Sequence, residues 1–402
     1  MNCALGHPHQ AFGPDFPYQH GLRCARLPSP PYHFMTRVLN VDGEFLKAKS
    51  GASVEVAYDF KGDEWYFEQN PAGTMPIAVL MEVALQPCGW LATYSGLPGL
   101  KGRELLFRNL DGKAQMLKEV LPIDKSITTK ATMLSFSKMS NMIITKFKVS
   151  CLVDGSEVYS MDTAFGFFPE EAMAAQKGLP VLEKERELRH KPAAKLQTLA
   201  ELSSKVAGPK LAMIDAVEHY DEAGGSHGKG YIRAVKSVKP SDWFFKAHFF
   251  QDPVQPGSLG IEAMVQAMKS FLVLRCDLPE NGNFEALALN EDLSWRYRGQ
   301  VTPDISEVHA EFDVSHLEQD NGRYFAKGSA RLWIGDRKIY EAPEISMAYV
   351  SRELTPERHY PLNQWVEAKP GALKLKPIYE QMGQTKTVVQ QNIYDVFAAL
   401  TR

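Results

Sequence analysis

The feature that most constrains how this chain can fold is an internal repeat. WYFEQNPAGTMPIAVLMEVALQ, residues 65–86, is echoed by WFFKAHFFQDPVQPGSLGIEAMVQ, residues 243–266, so that Glu82 and Gln86 stand 180 positions before Glu262 and Gln266. The echo continues downstream. RELLFRNLDGKAQ answers EDLSWRYRGQVTP, and VSCLVDGSEVYSMDTAFGFF answers GSARLWIGDRKIYEAPEISMAYV. Self-similarity of this length marks duplicated domains. The expected boundaries are a leader at 1–30, a first copy at 31–168, a Lys-, Glu- and Ala-rich linker at 169–209 that crosses the surface, a second copy at 210–351 and a tail at 352–402.

The second copy carries a set of parts for proton transfer. Trp243 to Phe250 is short and aromatic-rich, which predicts a strand ending at His248, and Asp252, Pro253, Pro256 and Gly257 then break regular structure. From Gly257 onward, LGIEAMVQAMKSFLVL is apolar on nearly every side and predicts a helix enclosed in a core. Glu262 and Gln266 share one face of that helix, where Gln266 can hold the carboxyl group by a hydrogen bond. A carboxyl in apolar surroundings has its pKa pushed up and can act as an acid near neutral pH. The backbone N–H groups of Gly257 and Ser258 at the helix start can stabilise an oxyanion, and glycine there admits close approach of a ligand. Taken singly, a histidine after aromatics is usually a satisfied structural group, and a buried glutamate is usually an ion-pair partner. A histidine, a Pro-Gly helix start and Glu-x-x-x-Gln within 19 residues point instead to catalysis.

The first copy lacks the histidine. Aligning Trp65 with Trp243 puts Asn70 opposite His248, with a following loop two residues shorter and Ile77 in place of the helix-start glycine. Asn70 cannot take up a proton at neutral pH. Glu68, fourteen before Glu82, is an alternative alignment, although a carboxylate is a poor stand-in for imidazole.

WFFKAHFFQDPVQPGSLGIEAMVQ closely resembles the signature of the β-hydroxyacyl-ACP dehydratases of the FabA type, and LAMIDAVEHYDEAGGSHGKGYIRAVKSV, residues 211–238, resembles that family's opening segment. The resemblance implies an α+β double hot-dog fold, in which two curved antiparallel sheets each wrap a central apolar helix and pack as a pseudo-dimer. It also implies removal of water from a 3-hydroxyacyl thioester, with His248 as the family histidine. Glu262 stands where FabA proteins carry Asp and FabZ-type relatives carry Glu, which counts against the double-bond isomerase activity of FabA and not against dehydration. In the family the histidine of one copy meets the acid of the other. His248 is therefore expected to face Glu82, supported by Gln86, with Gly257 and Ser258 at the oxyanion. Glu262 and Gln266 would face Asn70 in a decayed site, and pairing of His248 with Glu262 is the alternative.

The arrangement as a whole resembles the tandem dehydratase region of bacterial polyunsaturated fatty acid synthases, over residues 24–351. That implies a substrate carried on the phosphopantetheine of an acyl carrier protein, no permanently bound cofactor, neighbouring synthase domains as partners, and room for a homodimer. Two rivals remain. One is an inert acyl- or carrier-binding module, and the other is a thioesterase on the same fold.

Composition narrows the remaining classes. A formal net charge of −3, with 44% hydrophobic and 23% charged residues, is that of an ordinary globular protein and lacks the bulk basicity of a nucleic-acid binder. Lys229, Arg233, Lys236, Lys239 and Lys246 cluster before the site, either as a dock for an acidic carrier protein or as a solvated strand face. The five cysteines, Cys3, Cys24, Cys88, Cys151 and Cys276, are widely spaced and suggest reduced thiols in the cytoplasm. His7, His9 and His20 sit in a Pro- and Phe-rich leader without the carboxylate or cysteine spacing of a metal site. No uninterrupted apolar run of membrane-spanning length or secretory leader is evident, so no membrane partner is expected.

Overall fold

The computed structural model describes residues 3–17, 25–97, 104–139, 141–192, 197–202 and 205–351. His20, Cys24 and the tail at 352–402 lie outside the described residues. The chain divides into Met1–Pro356 and a second unit, Glu357–Arg402, that falls wholly within that tail.

Each repeat supplies one apolar helix and the strands that wrap it. In Ile77–Tyr94 every residue but the last is buried, and in Gly257–Arg275 burial is continuous from Ser258 to Leu272. Helices this apolar on all sides are stable only when enclosed. The strands show the complementary pattern: along Ile143–Val153 the alternate residues Ile143, Thr145, Phe147, Val149, Cys151 and Val153 are buried, as the two-residue period of a strand with one face on a core requires. Each fully buried aliphatic or aromatic side chain contributes about 1.5–3 kcal/mol of transfer free energy.

All strands of the path join one antiparallel sheet. From the first edge the order is Arg37–Asp42, Ser53–Asp59, Ser126–Lys138, Ile143–Val153, Ser156–Phe168 and Leu106–Met116. It continues with Asp292–Tyr297, Arg337–Ser351, Arg323–Ile334, Glu307–Asp320, Tyr231–Ser237, Ala216–Asp221 and Gln197–Thr198. Apart from the last short strand, the second run is the first read backwards, so the two copies are related by a local two-fold. That axis lies where Leu106–Met116 pairs with Asp292–Tyr297. Gly112 faces Trp295 in this ladder, and a Cβ on Gly112 would lie 2.1 Å from the indole, so only glycine lets the buried Trp295 cross the junction. The fold expected from the resemblance, a double hot-dog, is the one observed.

Two local expectations are corrected. Trp243–Ala247 is a short helix rather than a strand, because its consecutive Phe244 and Phe245 are both buried, which a strand with one face outward cannot achieve. The linker does more than cross the surface. Its Glu185 is buried against Arg331 at 2.9 Å and Lys338 at 2.8 Å, tying the helix Glu183–Arg189 to the second copy. Ile77–Tyr94 is, by length and mean hydropathy, apolar enough to span a membrane, but 94% of it is buried inside the protein.

Candidate active site

The short helices Trp65–Gln69 and Trp243–Ala247 hold corresponding places, and each ends on a residue in extended conformation, Asn70 and His248. The cap N–H groups bond Tyr66 and Phe244 carbonyls respectively, so Asn70 occupies the histidine's position and the exposed Glu68 does not. His248 Nδ1 lies 3.0 Å from the Val254 carbonyl. A carbonyl only accepts, so Nδ1 carries the proton and Nε2 keeps a basic lone pair. Asn70 imitates half of this, donating from Nδ2 to the Thr74 carbonyl at 2.8 Å across its shorter loop. Burial lowers the His248 pKa to about 3, so the ring is neutral at physiological pH.

Glu82 comes from the first copy and reaches the start of the second copy's helix. Its Oε1 accepts from Ser258 Oγ at 2.8 Å and its Oε2 from Gln86 Nε2 at 3.3 Å. Burial raises its pKa to about 7, against the opposing hydrogen bonds from Ser258 and Gln86. Gln86 also donates to the Tyr32 carbonyl at 2.9 Å and accepts from Phe34 N–H at 2.8 Å, so its amide clamps the leading strap and the acid together. Gln266 does the same in the second copy, with Leu211, Met213 and Glu262 as partners. The two glutamines therefore act through the carboxyl groups they hold.

His248 and Glu82 line one cavity of about 80 Å³, together with Gly257, Ser258, Gln255 and Tyr297. Its walls continue along the apolar Leu85, Gly89 and Phe107, and the linker's Met173 and Gln176 join the lining. Gly257 and Ser258 are the first two residues of a 19-residue helix, where backbone N–H groups have no intrahelical acceptor. A Cβ on Gly257 would lie 2.7 Å from the Tyr297 ring, which explains the glycine there.

Glu262 is not among the residues lining this cavity. It receives a hydrogen bond from Gln266 Nε2 at 2.9 Å and one from the backbone of Ala78, the counterpart of Ser258. Burial raises its pKa, and Lys269, two turns further along the same helix face, opposes that rise. Lys269 is itself buried and is acted on by both Glu262 and Glu119. Glu119 accepts from Thr74, the residue that holds Asn70. The counterpart of Lys269 in the first copy is Gly89, which lines the cavity beside Phe107.

Several site residues escaped the sequence reading. Arg108 of the first copy makes a bidentate pair with Asp252 in the loop after His248, 2.7 Å on both arms, and also donates to Gln300. Tyr32 bonds Ser258 at 3.0 Å. Gln255 and Tyr297 also line the cavity. No local pattern signals a pair 144 residues apart such as Arg108 and Asp252. The basic cluster is dispersed: Arg233 is buried, paired with Glu218 at 3.2 Å and bonded to linker carbonyls, and Lys236 pairs with Asp215 at 3.6 Å. Lys229, Lys239 and Lys246 remain exposed. In the leader, His7 caps a short helix and His9 contacts the Phe16 carbonyl.

A family model described as the FabA-like domain matches this chain twice, over residues 27–162 and 206–343. One of the subunits of the polyunsaturated fatty acid synthase of Thraustochytrium sp. is 28% identical over 384 residues, covering 87% of this chain. The chain spans 25% of that relative's length. Among solved structures, the dehydratase domain from the CurJ module of curacin polyketide synthase aligns at TM-score 0.46 and 10% identity, covering 80% of this chain and 97% of that one. The 12:0-ACP thioesterase from Umbellularia californica aligns at TM-score 0.40 and 10% identity, covering 74% and 93%. Likenesses at this level do not separate the two activities.

Proposed function

Because the chain belongs to the family of FabA-like domains, matched in both of its halves, we propose that it is a dehydratase that removes water from 3-hydroxyacyl thioesters. The substrate would be presented on the phosphopantetheine of an acyl carrier protein, within a synthase making polyunsaturated fatty acids. The observation that carries this reading is the meeting of His248 and Glu82, drawn from different copies, on one cavity.

In the proposed reaction, His248 Nε2 takes a proton from C2 of the substrate. The electrons form the C2–C3 double bond as the C3–O bond breaks, and the Glu82 carboxyl gives its proton to the departing hydroxyl, which leaves as water. The starting protonation states are supplied by burial, which keeps the imidazole neutral and the carboxyl substantially protonated near pH 7. Charge building on the thioester oxygen is stabilised by the Gly257 N–H at the positive end of the helix. Drawing base and acid from two copies gives each its own position, one at C2 and one at the C3 oxygen, as elimination requires. Exposed Lys229, Lys239 and Lys246 offer positive charge to an acidic carrier domain.

The test is dehydration of a 3-hydroxyacyl thioester, or hydration of the 2-enoyl thioester, by the chain and by His248→Ala. Loss of at least about a hundredfold in the variant supports the reading. Equal activity in the variant refutes the base. Free acid as the product favours a thioesterase, and an inactive unaltered chain that still binds acyl pantetheine favours a binding module.

A further inference from the structure

We propose that Gln255 and Tyr297 form a recognition pair that reads the 3-hydroxyl group of the substrate; this deepens the dehydratase reading and rests on it. Three observations support the pair. Gln255 is 2% exposed and Tyr297 5%, and both line the cavity that holds His248 and Glu82. Among the described residues, neither the Gln255 Nε2 and Oε1 atoms nor the Tyr297 hydroxyl has a hydrogen-bond partner. The repeat itself supplies the comparison. Gln255 N–H bonds the Val301 carbonyl as Met75 N–H bonds that of Val120, both at 2.9 Å. Arg298 N–H bonds the Ile339 carbonyl as Leu117 N–H bonds that of Val158, both at 2.8 Å. Gln255 therefore corresponds to Met75, and Tyr297 to Met116, one residue before Leu117.

The half-site with a histidine thus has an amide and a phenol where the half-site without one has two thioethers. An unpartnered buried amide or phenol costs about 1–3 kcal/mol, and methionine at the same points in the first copy packs fully buried. The polar pair is therefore not explained by packing. A hydroxyl is both donor and acceptor, so it can give its proton to Gln255 Oε1 and accept from Gln255 Nε2 or the Tyr297 phenol. A saturated alkyl chain offers neither. The phenol is well placed for this: its ring lies against the Gly257 helix start and packs on Tyr340 at 4.4 Å, and Glu82 is among the charges acting on it. The pair would hold the leaving group beside the acid that protonates it.

The experiment uses the His248→Ala chain, in which elimination is silenced, and measures by calorimetry the affinity for a 3-hydroxyacyl pantetheine and for the saturated acyl pantetheine of equal length. The expected preference for the hydroxylated ligand is about tenfold or more, and Gln255→Met and Tyr297→Phe each cut it by about fivefold while leaving the saturated ligand's affinity unchanged or tighter. An undiminished preference in both variants overturns the pair. So does an equal loss of affinity for both ligands, which is the signature of a packing role. Turnover by His248→Ala during the titration would refute the assigned base separately, and binding of neither ligand would overturn the pair together with the dehydratase reading.

Discussion

Replacing Glu82 by Gln should make the stability of the protein less sensitive to pH, by an amount that follows from the burial of this carboxyl. Its folded pKa is about 7 against an ordinary value of 4.5, and it is 5% exposed. The folded state therefore prefers the protonated form. Its stabilising contribution is fully present below the unfolded pKa, near 4.5, and is lost as pH rises towards and through 7. At about 1.36 kcal/mol per pKa unit, the loss between pH 4.5 and 8 is about 3 kcal/mol. Glutamine cannot ionise. Its amide can accept from Gln86 Nε2 through the oxygen and donate to Ser258 Oγ through the nitrogen, so any cost of the substitution is a constant that does not vary with pH. The quantity to measure is the difference in unfolding free energy between the variant and the parent chain, from urea titrations at several pH values. That difference should move in the variant's favour by about 3 kcal/mol from pH 4.5 to 8. A difference independent of pH would refute the raised pKa and, with it, the role of Glu82 as a proton donor near neutrality.

Other expectations concern the two acids and the loop. Glu82→Gln should lower dehydration turnover by about a hundredfold or more, and Glu262→Gln by less than about fivefold, in steady-state assays of the two variants; equal or reversed losses would sink the cross-copy site. Arg108→Met and Asp252→Asn should each lower turnover, and their double-mutant cycle should show a coupling of about 1 kcal/mol or more, because the bidentate pair is only 11% and 16% exposed. An additive cycle would mean that Arg108 does not act on the His248 loop through Asp252.

Much of the site is legible in the sequence because it is written in short intervals. The Glu-x-x-x-Gln spacing on one helix face, the helix-start glycine and the substitution of Asn70 for His248 are all local patterns. The structure shows the same hydrogen bonds in both copies around Gln86 and Gln266. What escapes is set by tertiary contact. Arg108 meets Asp252 only because Leu106–Met116 runs beside the second copy's strand at the junction. Tyr297 reads as a strand aromatic, and its place against Gly257 depends on how the helix packs. Trp243–Ala247 misleads because aromatic residues favour strands on average, whereas adjacent phenylalanines here are both drawn into the core. The linker's buried Glu185 likewise resembles a surface charge until Arg331 and Lys338 are brought to it.

The single chain running through the two-fold has a consequence for how the molecule can change. In a dimer of identical protomers, every substitution appears at both sites, so a residue that improves one must be tolerated in the other. Here the axis, at the Lys113–Ser294 pair beside the Gly112–Trp295 crossing, relates stretches encoded separately. Gly89 can stay small beside one cavity while Lys269, at the same place in the other half, takes an amine into the core. Covalent fusion thus freed the halves to diverge while the interface continued to hold them in register. In the proposed mechanism, the chamber that takes base and acid from opposite halves is the one lined by His248 and Glu82, and the first half serves as the scaffold that presents the acid.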